Sequence, residues 1–268
     1  MQRFFPSIVR PVLHSVGARD LLEIGADDGG HTALLQGYCA DVGGHLTVVD
    51  PVLGDALRAV LDDSVTTFVQ RPSLEALPTV PVPDVALIDG DHNHYTVLRE
   101  LRLLAERSDA EGRGMPPVLL HDVLWPWGRR DMYYDPDRIP ERHRHESDTR
   151  GVAPGVPGKV DSHGGFNAGF VSAVAEGGPA NGVLTAVEDF VAEGPGRGYL
   201  VIPGLHGLAV VTHEDQPAPF LDLVDRLRDS DGLLALLAAV EQERLESSLL
   251  GIVVGHELRS ERAGDDRG

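Results

Sequence analysis

The chain has 268 residues, of which 42% are hydrophobic and 24% charged, as expected of a globular protein with a sizeable core. Asp and Glu number 42 against 23 Lys and Arg, giving a net charge of −19. This charge argues against a nucleic acid partner, because phosphate binding needs a dense basic surface. The one cysteine, Cys39, excludes an intramolecular disulfide and a cysteine-based zinc site, and we expect it to be buried in a helix.

The two ends of the chain predict its location and extent. Residues 1–10 lack the apolar core of a signal peptide, and no apolar run is long enough to cross a membrane. We therefore expect a cytoplasmic protein with no membrane partner. One domain is predicted over residues 1–258, and the polar composition of 259–268 predicts a disordered tail.

The first half of the chain alternates short apolar runs with helical patterns, which predicts a doubly wound parallel α/β sheet. The predicted strands are Asp20–Ile24, His45–Val49, Val65–Val69, Val85–Ile88 and Pro117–Leu120. The predicted helices between them are Thr32–Tyr38, Leu53–Leu61 and Tyr95–Arg107. Such sheets bind ligands at the carboxyl ends of their strands, so polar residues directly after the strands are candidates for a site.

Residues 125–170 carry aromatic residues, prolines and arginines without a sustained apolar period. Disordered segments are poor in aromatics, so we interpret this stretch as a lid inserted over the substrate. Its Lys159 is the only lysine of the chain, and a Gly/Pro-rich loop is a poor place for the desolvated amine that covalent chemistry needs.

The chain after this insertion predicts the end of the sheet. Tyr199–Ile202 and Leu208–Thr212 are joined by a short Pro/Gly loop, which favours a terminal antiparallel strand pair. Further helices are predicted at Val183–Val191, Phe220–Leu227 and Leu233–Glu257. The last of these covers either the sheet or a partner subunit, so any homo-oligomer is expected to form through the C-terminal helices.

A glycine-rich turn follows the first strand in the segment LLEIGADDGGHT. Gly25 and Gly29 permit positive φ angles and close approach of a ligand at the N-terminus of the next helix. The spacing of Glu23, Gly25 and Gly29 is E-x-G-x-x-x-G, which differs from the dinucleotide fingerprint G-x-G-x-x-G. Asp50 ends the second strand and is placed to accept hydrogen bonds from ribose hydroxyls.

The richest polar cluster follows the fourth strand, in the segment DVALIDGDHNHY over Asp84–Tyr95. Its polar side chains are predicted to open into the ligand crevice at Asp89, Asp91, His92 and His94. The alternative is an ordinary acidic turn between a strand and a helix. The fifth strand likewise ends in polar residues, His121 and Asp122.

The segments LLEIGADDGGHT, TVVD, QRPSLEAL, ALIDGDHNHY and LLHD, taken in order, resemble a class I S-adenosylmethionine-dependent methyltransferase. The resemblance is strongest to the small-molecule O-methyltransferases of antibiotic sugar and macrolide pathways, the Methyltransf_24-like group. It implies a Rossmann-like methyltransferase sheet, S-adenosyl-L-methionine as cofactor, and a natural-product hydroxyl as methyl acceptor. The lid insertion matches no motif of that group.

The resemblance also implies which residues bind the cofactor. Glu23, Gly25 and Gly29 would line its methionine part, with Ala26 and Thr32 beside them. Asp50 would hold the ribose, and Ser73 with Leu74 would border the adenine. Asp89 belongs to the same predicted site. On the alternative interpretation, the glycines serve only a tight turn and Asp50 is a surface acid.

Several members of the resembled group bind a divalent metal between the ends of strands four and five. The matching residues here are Asp89, His121 and Asp122. Two carboxylates suit Mg²⁺, whereas the imidazole of His121 shifts the preference toward Mn²⁺, Fe²⁺ or Zn²⁺. His121 stands where a carboxylate is expected, which leaves open whether a metal binds.

His92 and Asp89 are the predicted catalytic residues. In the resembled sugar O-methyltransferases a histidine three places after the strand-four aspartate is the general base, and His92 has this spacing from Asp89. A neutral imidazole can take the proton of a substrate hydroxyl near neutral pH. The alternative for His92 is a residue bonded to the backbone at a helix N-terminus. Asp91 is a candidate helix cap and His94 a substitute base.

The insertion adds candidates for substrate contact. Trp125, Trp127, Tyr133 and Tyr134 form either a pocket wall over the acceptor or a local core of the insertion. Arg129 and Arg130 pair either with substrate acids or with Asp131 and Asp135. His143 and His145 alternate in the segment ERHRHE like a short metal-binding tract, but we expect them in a solvated loop. The insertion also contains His163.

Two other functions remain open on the sequence alone. Asp89, His92, His121 and Asp122 could instead hold redox iron in a hydroxylase, or another metal in a hydrolase. The chain could also be a non-catalytic scaffold that keeps the cofactor fold and uses its C-terminal helix as an interface.

Overall fold

The computed structural model describes residues 1–160 and 164–265, without the side chains of Asp231 and 252–265. Its strands are β1 Asp20–Ile24, β2 His45–Val49, β3 Thr66–Val69, β4 Val85–Ile88, β5 Val118–His121, β6 Met132–Tyr133, β7 Ser147–Asp148, β8 Val171–Ala173, β9 Arg197–Ile202 and β10 Leu208–His213. Its α-helices are α1 Arg10–Val16, α2 Gly30–Val42, α3 Asp55–Val60, α4 Ser73–Ala76, α5 His94–Ala110, α6 Val183–Ala192, α7 Ala218–Arg228 and α8 Asp231–Asp265.

Seven strands form the central sheet in the order β3-β2-β1-β4-β5-β10-β9. Strands β1 to β5 are parallel, whereas β10 is antiparallel to both β5 and β9. The predicted Rossmann-like, doubly wound sheet with a terminal antiparallel pair is therefore confirmed. The chain order reverses between β1 and β4, so their carboxyl ends border the crevice in which such sheets bind ligands.

Both faces of this sheet are covered, which explains the continuous apolar runs of its strands. Leu22 and Ile88 belong to the core on one face, and Leu21 and Leu87 to the core on the other. Cys39 of α2 is buried and free in the second core, as expected.

Helices α2 and α5 extend beyond their predicted bounds, and capping residues set their ends, whereas α3 is shorter than the predicted Leu53–Leu61. The side chain of Asn93 accepts a hydrogen bond from the Thr96 N–H, so α5 begins at His94. The predicted cap, Asp91, does not hold that position. At the end of α2, Gly43 takes a left-handed conformation with φ of 64° and stops the helix.

The insertion contains secondary structure of its own. The sequence did not predict it, because residues 125–170 show no sustained apolar period. Strands β6 and β7 form a second, antiparallel sheet with β8, which begins directly after the predicted end of the insertion, in the order β6-β8-β7. Lys159 lies inside this unit with a fully buried side chain, and its Nζ donates to the carbonyl oxygen of Arg150 and to Oγ of Ser172. The only lysine is therefore a structural cation, and its surroundings differ from the open loop expected for it.

The C-terminal helix α8 runs to Asp265, so it includes most of the stretch predicted as a polar tail from residue 259. Residues 266–268 lie outside the described part of the chain. Within the described residues, no helix combines the length and apolar character that crossing a membrane requires.

Candidate active site

The structure brings together four of the predicted polar residues at the carboxyl ends of β4 and β5. Ile88 pairs with Leu120 in the sheet, so Asp89 directly after β4 lies beside His121 at the end of β5. Asp122 follows β5, and His92 reaches the same point from the turn that leads into α5. We call Asp89, His92, His121 and Asp122 the acid–histidine cluster.

Opposite charges alternate through this cluster. Oδ1 of Asp89 lies 3.1 Å from Nδ1 of His121 and 3.8 Å from Nε2 of His92. Oδ2 of Asp122 lies 2.7 Å from Nε2 of His92, and its Oδ1 lies 3.4 Å from Nδ1 of His121. Each carboxylate therefore contacts both imidazoles, and each imidazole contacts both carboxylates.

The backbone of Asp122 is strained. Its φ angle is 59°, in the left-handed region that costs a residue with a side chain about 1 kcal/mol or more. This conformation directs the carboxylate toward His92 instead of continuing the extended path of β5. Strain of this kind is concentrated at functional sites, where the surrounding structure holds it in place.

The hydrogen bonds of His121 define what its ring can bind. Nε2 lies 2.9 Å from the carbonyl oxygen of Leu205, which can only accept, so Nε2 carries a proton. Nδ1 faces the carboxylates of Asp89 and Asp122, which repel a lone pair. A cation must therefore lie between them, either a proton on Nδ1 or a metal ion bound by it. Burial alone would lower the pKa of His121, but the two aspartates raise it.

His92 is buried, with 8% of its side chain exposed, and its ring nitrogens make no well-aligned hydrogen bond among the described residues. The contact of Nε2 with Asp122 is thus mainly electrostatic. Burial disfavours the charged ring, but the negative charges of Asp122 and Asp89 outweigh it and raise the pKa of His92 to about 10. The isolated cluster therefore stabilises the imidazolium form.

The two histidines in turn lower the pKa values of the carboxyl groups of Asp89 and Asp122. Burial would raise the pKa of Asp89, but the hydrogen bond and charge of His121, together with the adjacent imidazole of His92, hold it well below its ordinary value. The pKa of Asp122 is lowered in the same way, chiefly by His92. Both side chains are therefore ionised at neutral pH, which is the state that binds cations.

The cluster fits a divalent cation. One donor atom each from Asp89, His92 and Asp122 lies within 4.8 Å of the others, close enough to share one ion. The predicted ligands were Asp89, His121 and Asp122. In this group of three His92 stands in place of His121, which contacts both carboxylates beside it. Two carboxylates with imidazole suit Mg²⁺ or Mn²⁺, and also Fe²⁺ or Zn²⁺.

Beside the cluster, the glycine turn is held by steric requirements at two positions. Gly25 has φ of 84°, and a Cβ there would lie 2.4 Å from the carbonyl oxygen of Asp89. Gly29 has φ of 82°, and its Cβ would lie 2.4 Å from the side chain of Val60. The first glycine therefore lets the ends of β1 and β4 approach, and the second lets α2 pack on α3.

Glu23 of β1 connects the strand before this turn to the helix after it. Its buried carboxylate accepts hydrogen bonds from Oγ1 of Thr32 at 2.6 Å and contacts Nδ1 of His31 at 2.8 Å. Both oxygens are thereby used within the protein, so Glu23 and Thr32 fix the N-terminus of α2. His31 was not singled out in the sequence, although it adjoins the glycine motif.

Asp50 lies at the rim of the same crevice. Its Oδ2 accepts a hydrogen bond from the N–H of Ala26 at 2.8 Å and its Oδ1 from the N–H of Val52 at 2.8 Å. The half-buried carboxylate thus connects the ends of β1 and β2. Ser73 is buried at the start of α4, with the half-buried Leu74 next to it.

Asp89 also binds an ammonium group in this structure. The N-terminal amine of Met1 lies 2.8 Å from its Oδ2, while Nδ1 of His121 contacts its other oxygen. S-adenosylmethionine carries an ammonium group on its methionine part, so this carboxylate has the chemistry to accept it. Ala26 contacts Asp50 and Gly25 adjoins Asp89, so these four predicted cofactor residues lie together at the ends of β1, β2 and β4.

The aromatic residues of the insertion divide between the two interpretations. Trp127 and Tyr133 are both buried, and Trp127 belongs to the main core on one face of the central sheet. Tyr134 is 58% exposed, and its ring centroid lies 5.8 Å from that of His92. Phe170, also exposed, makes an edge contact with Tyr134 at 6.1 Å. Tyr134 and Phe170 therefore form an open aromatic surface next to the acid–histidine cluster.

Three other predicted candidates, His94, Arg129 and Arg130, have partners outside the acid–histidine cluster. Nε2 of His94 contacts Asp189 of α6 at 2.8 Å, away from the cluster. Arg129 pairs with Glu188, and the buried guanidinium of Arg130 donates to the carbonyl oxygens of Pro157, Ala173 and Val174. The proposed pairing of these arginines with Asp131 or Asp135 is therefore wrong. His163 lies outside the described residues.

One buried charged residue was missed. Glu100 of α5 is fully buried, and neither of its carboxyl oxygens has a well-formed hydrogen bond among the described residues. The sequence contains a signal for it, because Glu100 occurs on the same helix face as Val97, Leu101 and Leu104.

No protein family profile matches this sequence, and no curated protein is similar to it. Several solved structures resemble the fold. The SAH-bound methyltransferase PaMTH1 of Podospora anserina has 14% identity and a TM-score of 0.46, with 77% of each chain covered. An O-methyltransferase family protein from Burkholderia thailandensis has 16% identity and a TM-score of 0.45, covering 81% of this chain and 57% of that one.

A third similar structure is the methyltransferase MycE of the mycinamycin biosynthetic pathway, in complex with Mg, SAH and mycinamycin VI. It has 15% identity and a TM-score of 0.44, covering 79% of this chain and 49% of that one. All three likenesses are distant. The strand order and side chains of this chain establish its Rossmann-like α/β fold on their own.

Proposed function

We propose that this protein is an S-adenosylmethionine-dependent O-methyltransferase that acts on a hydroxyl of a small-molecule natural product. The observation that carries the proposal is the position of the acid–histidine cluster. It lies at the ends of β4 and β5, directly beside the glycine turn of β1 and Asp50 of β2. A reacting hydroxyl and a cofactor held at that turn would thus meet at His92.

The cofactor is assigned to the rim between β1 and β4. Gly25 and Ala26 would face its methionine part, Asp89 its ammonium group, Asp50 its ribose, and Ser73 with Leu74 its adenine. When bound, S-adenosylmethionine supplies a methyl group, which passes from its sulfonium sulfur to the acceptor oxygen and leaves S-adenosylhomocysteine. The protein contributes mainly by orienting the two reactants.

His92 would take the proton of the acceptor hydroxyl, with Asp122 stabilising the imidazolium that forms. In the isolated cluster the ring already carries a proton, because Asp89 and Asp122 raise its pKa. His92 can accept the proton of the hydroxyl only when its ring is neutral. The negative charge of Asp89 and Asp122 must therefore be partly compensated, so that the pKa of His92 falls. A divalent cation bound by Asp89 and Asp122, with the imidazole of His121, would supply that compensation and acidify a coordinated hydroxyl.

The acceptor would lie against the insertion. Tyr134 and Phe170 expose their rings beside His92, so they offer an apolar face for the part of the acceptor next to its hydroxyl. This arrangement supports the lid interpretation of residues 125–170.

One observation favours a second function, a metal-dependent hydroxylase or hydrolase. His92 lies within ligand distance of the same ion as Asp89 and Asp122, and an imidazole that binds a metal cannot also take a proton. Metal analysis of the purified protein separates the two. Stoichiometric iron without cofactor affinity would favour this second function.

Calorimetric titration with S-adenosylhomocysteine, with and without Mg²⁺, tests the first proposal. We expect saturable binding. Absence of binding under both conditions would contradict it, whatever the metal content of the protein.

A further inference from the structure

The turn at 203–207, between β9 and β10, reaches the acid–histidine cluster through one carbonyl group. The carbonyl oxygen of Leu205 lies 2.9 Å from Nε2 of His121 and accepts a hydrogen bond from it. This bond leaves Nδ1 of the same ring facing the carboxylates of Asp89 and Asp122, at 3.1 and 3.4 Å. A ring rotated by half a turn would direct a carbon atom at them instead. The position of Leu205 therefore decides which edge of His121 the cluster receives.

The backbone of this turn is strained. Leu205 and His206 have φ angles of 51° and 72°, in the left-handed region that residues with a side chain rarely adopt. Gly204 and Gly207, on either side, also have positive φ angles. A strained backbone persists only where the surrounding structure holds it. Contacts from outside the turn must therefore fix the position of Leu205.

Helix α8 supplies such a contact through a buried carboxylate. Oε1 of Glu241 accepts a hydrogen bond from the N–H of His206 at 2.9 Å, and the Glu241 side chain is only 8% exposed. The guanidinium of Arg244 donates to both carboxylate oxygens, at 2.7 and 2.8 Å. Burial would raise the pKa of Glu241, but the hydrogen bonds from Arg244 and from the turn lower it to about 2. The acceptor is thus ionised, which strengthens its bond to the backbone N–H.

The same turn is also bonded to the chain that follows β5. The carbonyl oxygen of His206 accepts a hydrogen bond from the N–H of Leu124 at 2.8 Å, and Nδ1 of His206 lies 3.0 Å from the carbonyl oxygen of Trp125. His206 is therefore held by α8 on one side and by the segment after His121 on the other. Leu205, directly before it, is fixed in relation to the His121 ring.

We infer that Glu241 is a positioning residue, which holds the 203–207 turn so that Leu205 fixes the ring of His121 with Nδ1 toward the two aspartates of the cluster. The C-terminal helix thereby takes part in the active site. The inference rests on the proposed function for the use of His121 as a metal ligand, whereas the orientation of the ring does not depend on that use. A metal-binding histidine usually donates its other ring N–H to a carbonyl or carboxylate, and loss of such a partner weakens metal binding about 10- to 100-fold.

Nuclear magnetic resonance of the full chain with isotope-labelled histidine, recorded without metal, tests the orientation directly. A ring N–H that donates to a carbonyl oxygen inside the protein is protected from exchange with water and gives a proton signal. His121→Gln identifies the signal of His121 by its loss. We expect this signal in the wild type. Glu241→Ala should lose it, because the released turn exposes the ring N–H to water.

Two further variants separate the role of the carboxylate from that of packing. Glu241→Met keeps the length of the side chain without an acceptor, so it should lose the His121 signal as Glu241→Ala does. Glu241→Gln should retain the signal, because its amide oxygen can still accept from the His206 N–H. Circular dichroism at the temperature of the measurement shows that each variant is folded.

Glu246→Ala is the matched control. Glu246 is an exposed glutamate of the same helix, and its carboxylate accepts a hydrogen bond from the side chain of Gln242. Its removal should leave the His121 signal unchanged. An equal loss of signal in Glu246→Ala would contradict the inference, because the effect would then come from disturbing α8 in general.

The affinity for Mn²⁺, measured by electron paramagnetic resonance of the free ion, is the second readout. Glu241→Ala and Glu241→Met should weaken binding about tenfold, whereas Glu241→Gln should bind as the wild type does. An unchanged His121 signal or an unchanged Mn²⁺ affinity in both weakened variants would overturn the inference, and so would absence of the signal from the wild type. A wild type that binds no Mn²⁺ would instead count against the metal of the proposed function, and the ring signal would still test the position of His121.

Discussion

The Nε2 atom of His92 lies 2.7 Å from Oδ2 of Asp122, so the turn after β4 and the end of β5 meet through one charged pair. The strained backbone of Asp122 directs its carboxylate to this point. Asp89 and His121 lie on the other side of the pair. His92 is thereby the only member of the cluster that also contacts an exposed aromatic ring, that of Tyr134, within the described structure.

His92→Gln should abolish methyl transfer while cofactor binding persists. Glutamine keeps the polarity and approximate size of the side chain but cannot take a proton, so we expect the rate to fall by about 10² to 10⁴. Transfer of a radiolabelled methyl group to an acceptor found by screening measures the rate, and calorimetry measures cofactor affinity. His94→Gln is the control, because His94 contacts Asp189 instead of the cluster. Equal losses in both variants would contradict the role of His92.

Asp122→Asn and Asp89→Asn should each weaken binding of Mn²⁺ by more than tenfold. Each removes one of the two charged oxygen donors of the cluster, and an amide is a much poorer ligand for a hard cation. Electron paramagnetic resonance of free Mn²⁺ measures the affinity without an acceptor. Asp135→Asn is the control, because its exposed carboxylate pairs with Arg138. Unchanged Mn²⁺ affinity in both cluster variants would exclude this site.

The sheet and the members of the cluster could be predicted because each depends on local sequence. Apolar runs with both faces buried gave β1 to β5, and a parallel sheet places the residues after each strand at one edge. The ends of the strands could therefore be predicted as the site, and the family resemblance implied that Asp89 lies near Asp122. Their contact with His92 also depends on the positive φ angle of Asp122. The amino-acid sequence alone does not predict that angle.

The insertion could not be predicted in detail because long-range contacts stabilise it. Strands β6, β7 and β8 have two or three residues each, too few to show a period. They are held by buried cations such as Arg130, whose guanidinium donates to the carbonyl oxygens of Ala173, Val174 and Pro157. Such partners are far apart in sequence, so no local pattern predicts them.

Gly25→Ala should destabilise the protein by about 2–4 kcal/mol, because an alanine must adopt a positive φ and its Cβ would lie 2.4 Å from the Asp89 carbonyl oxygen. Thermal unfolding measures the loss. Gly37→Ala is the control: Gly37 is exposed within α2, with no described atom within 4 Å of an added Cβ, and should gain up to about 1 kcal/mol. A Gly25→Ala protein as stable as the wild type would show that the two strand ends can separate.

Glu100→Gln should stabilise the protein increasingly as the pH rises. Burial, the largest effect, raises the pKa of Glu100 from 4.5 to about 8. Below pH 4.5 the carboxyl is protonated in both the folded and unfolded states, so it imposes no pH-dependent cost. Between pH 4.5 and 8 only the unfolded state releases the proton, which favours unfolding of the wild type by a growing amount, at most about 5 kcal/mol.

Denaturant unfolding of both proteins from pH 4 to 9 measures this difference, because the other titrating groups are common to the two. Their stabilities should converge near pH 4 and diverge up to about pH 8, with the glutamine variant the more stable. Glu106→Gln, at an exposed position of the same helix, should show no such divergence. A stability difference between Glu100→Gln and the wild type that stays constant with pH would mean that Glu100 is ionised in the folded protein. In that case an unrecognised partner must compensate its charge.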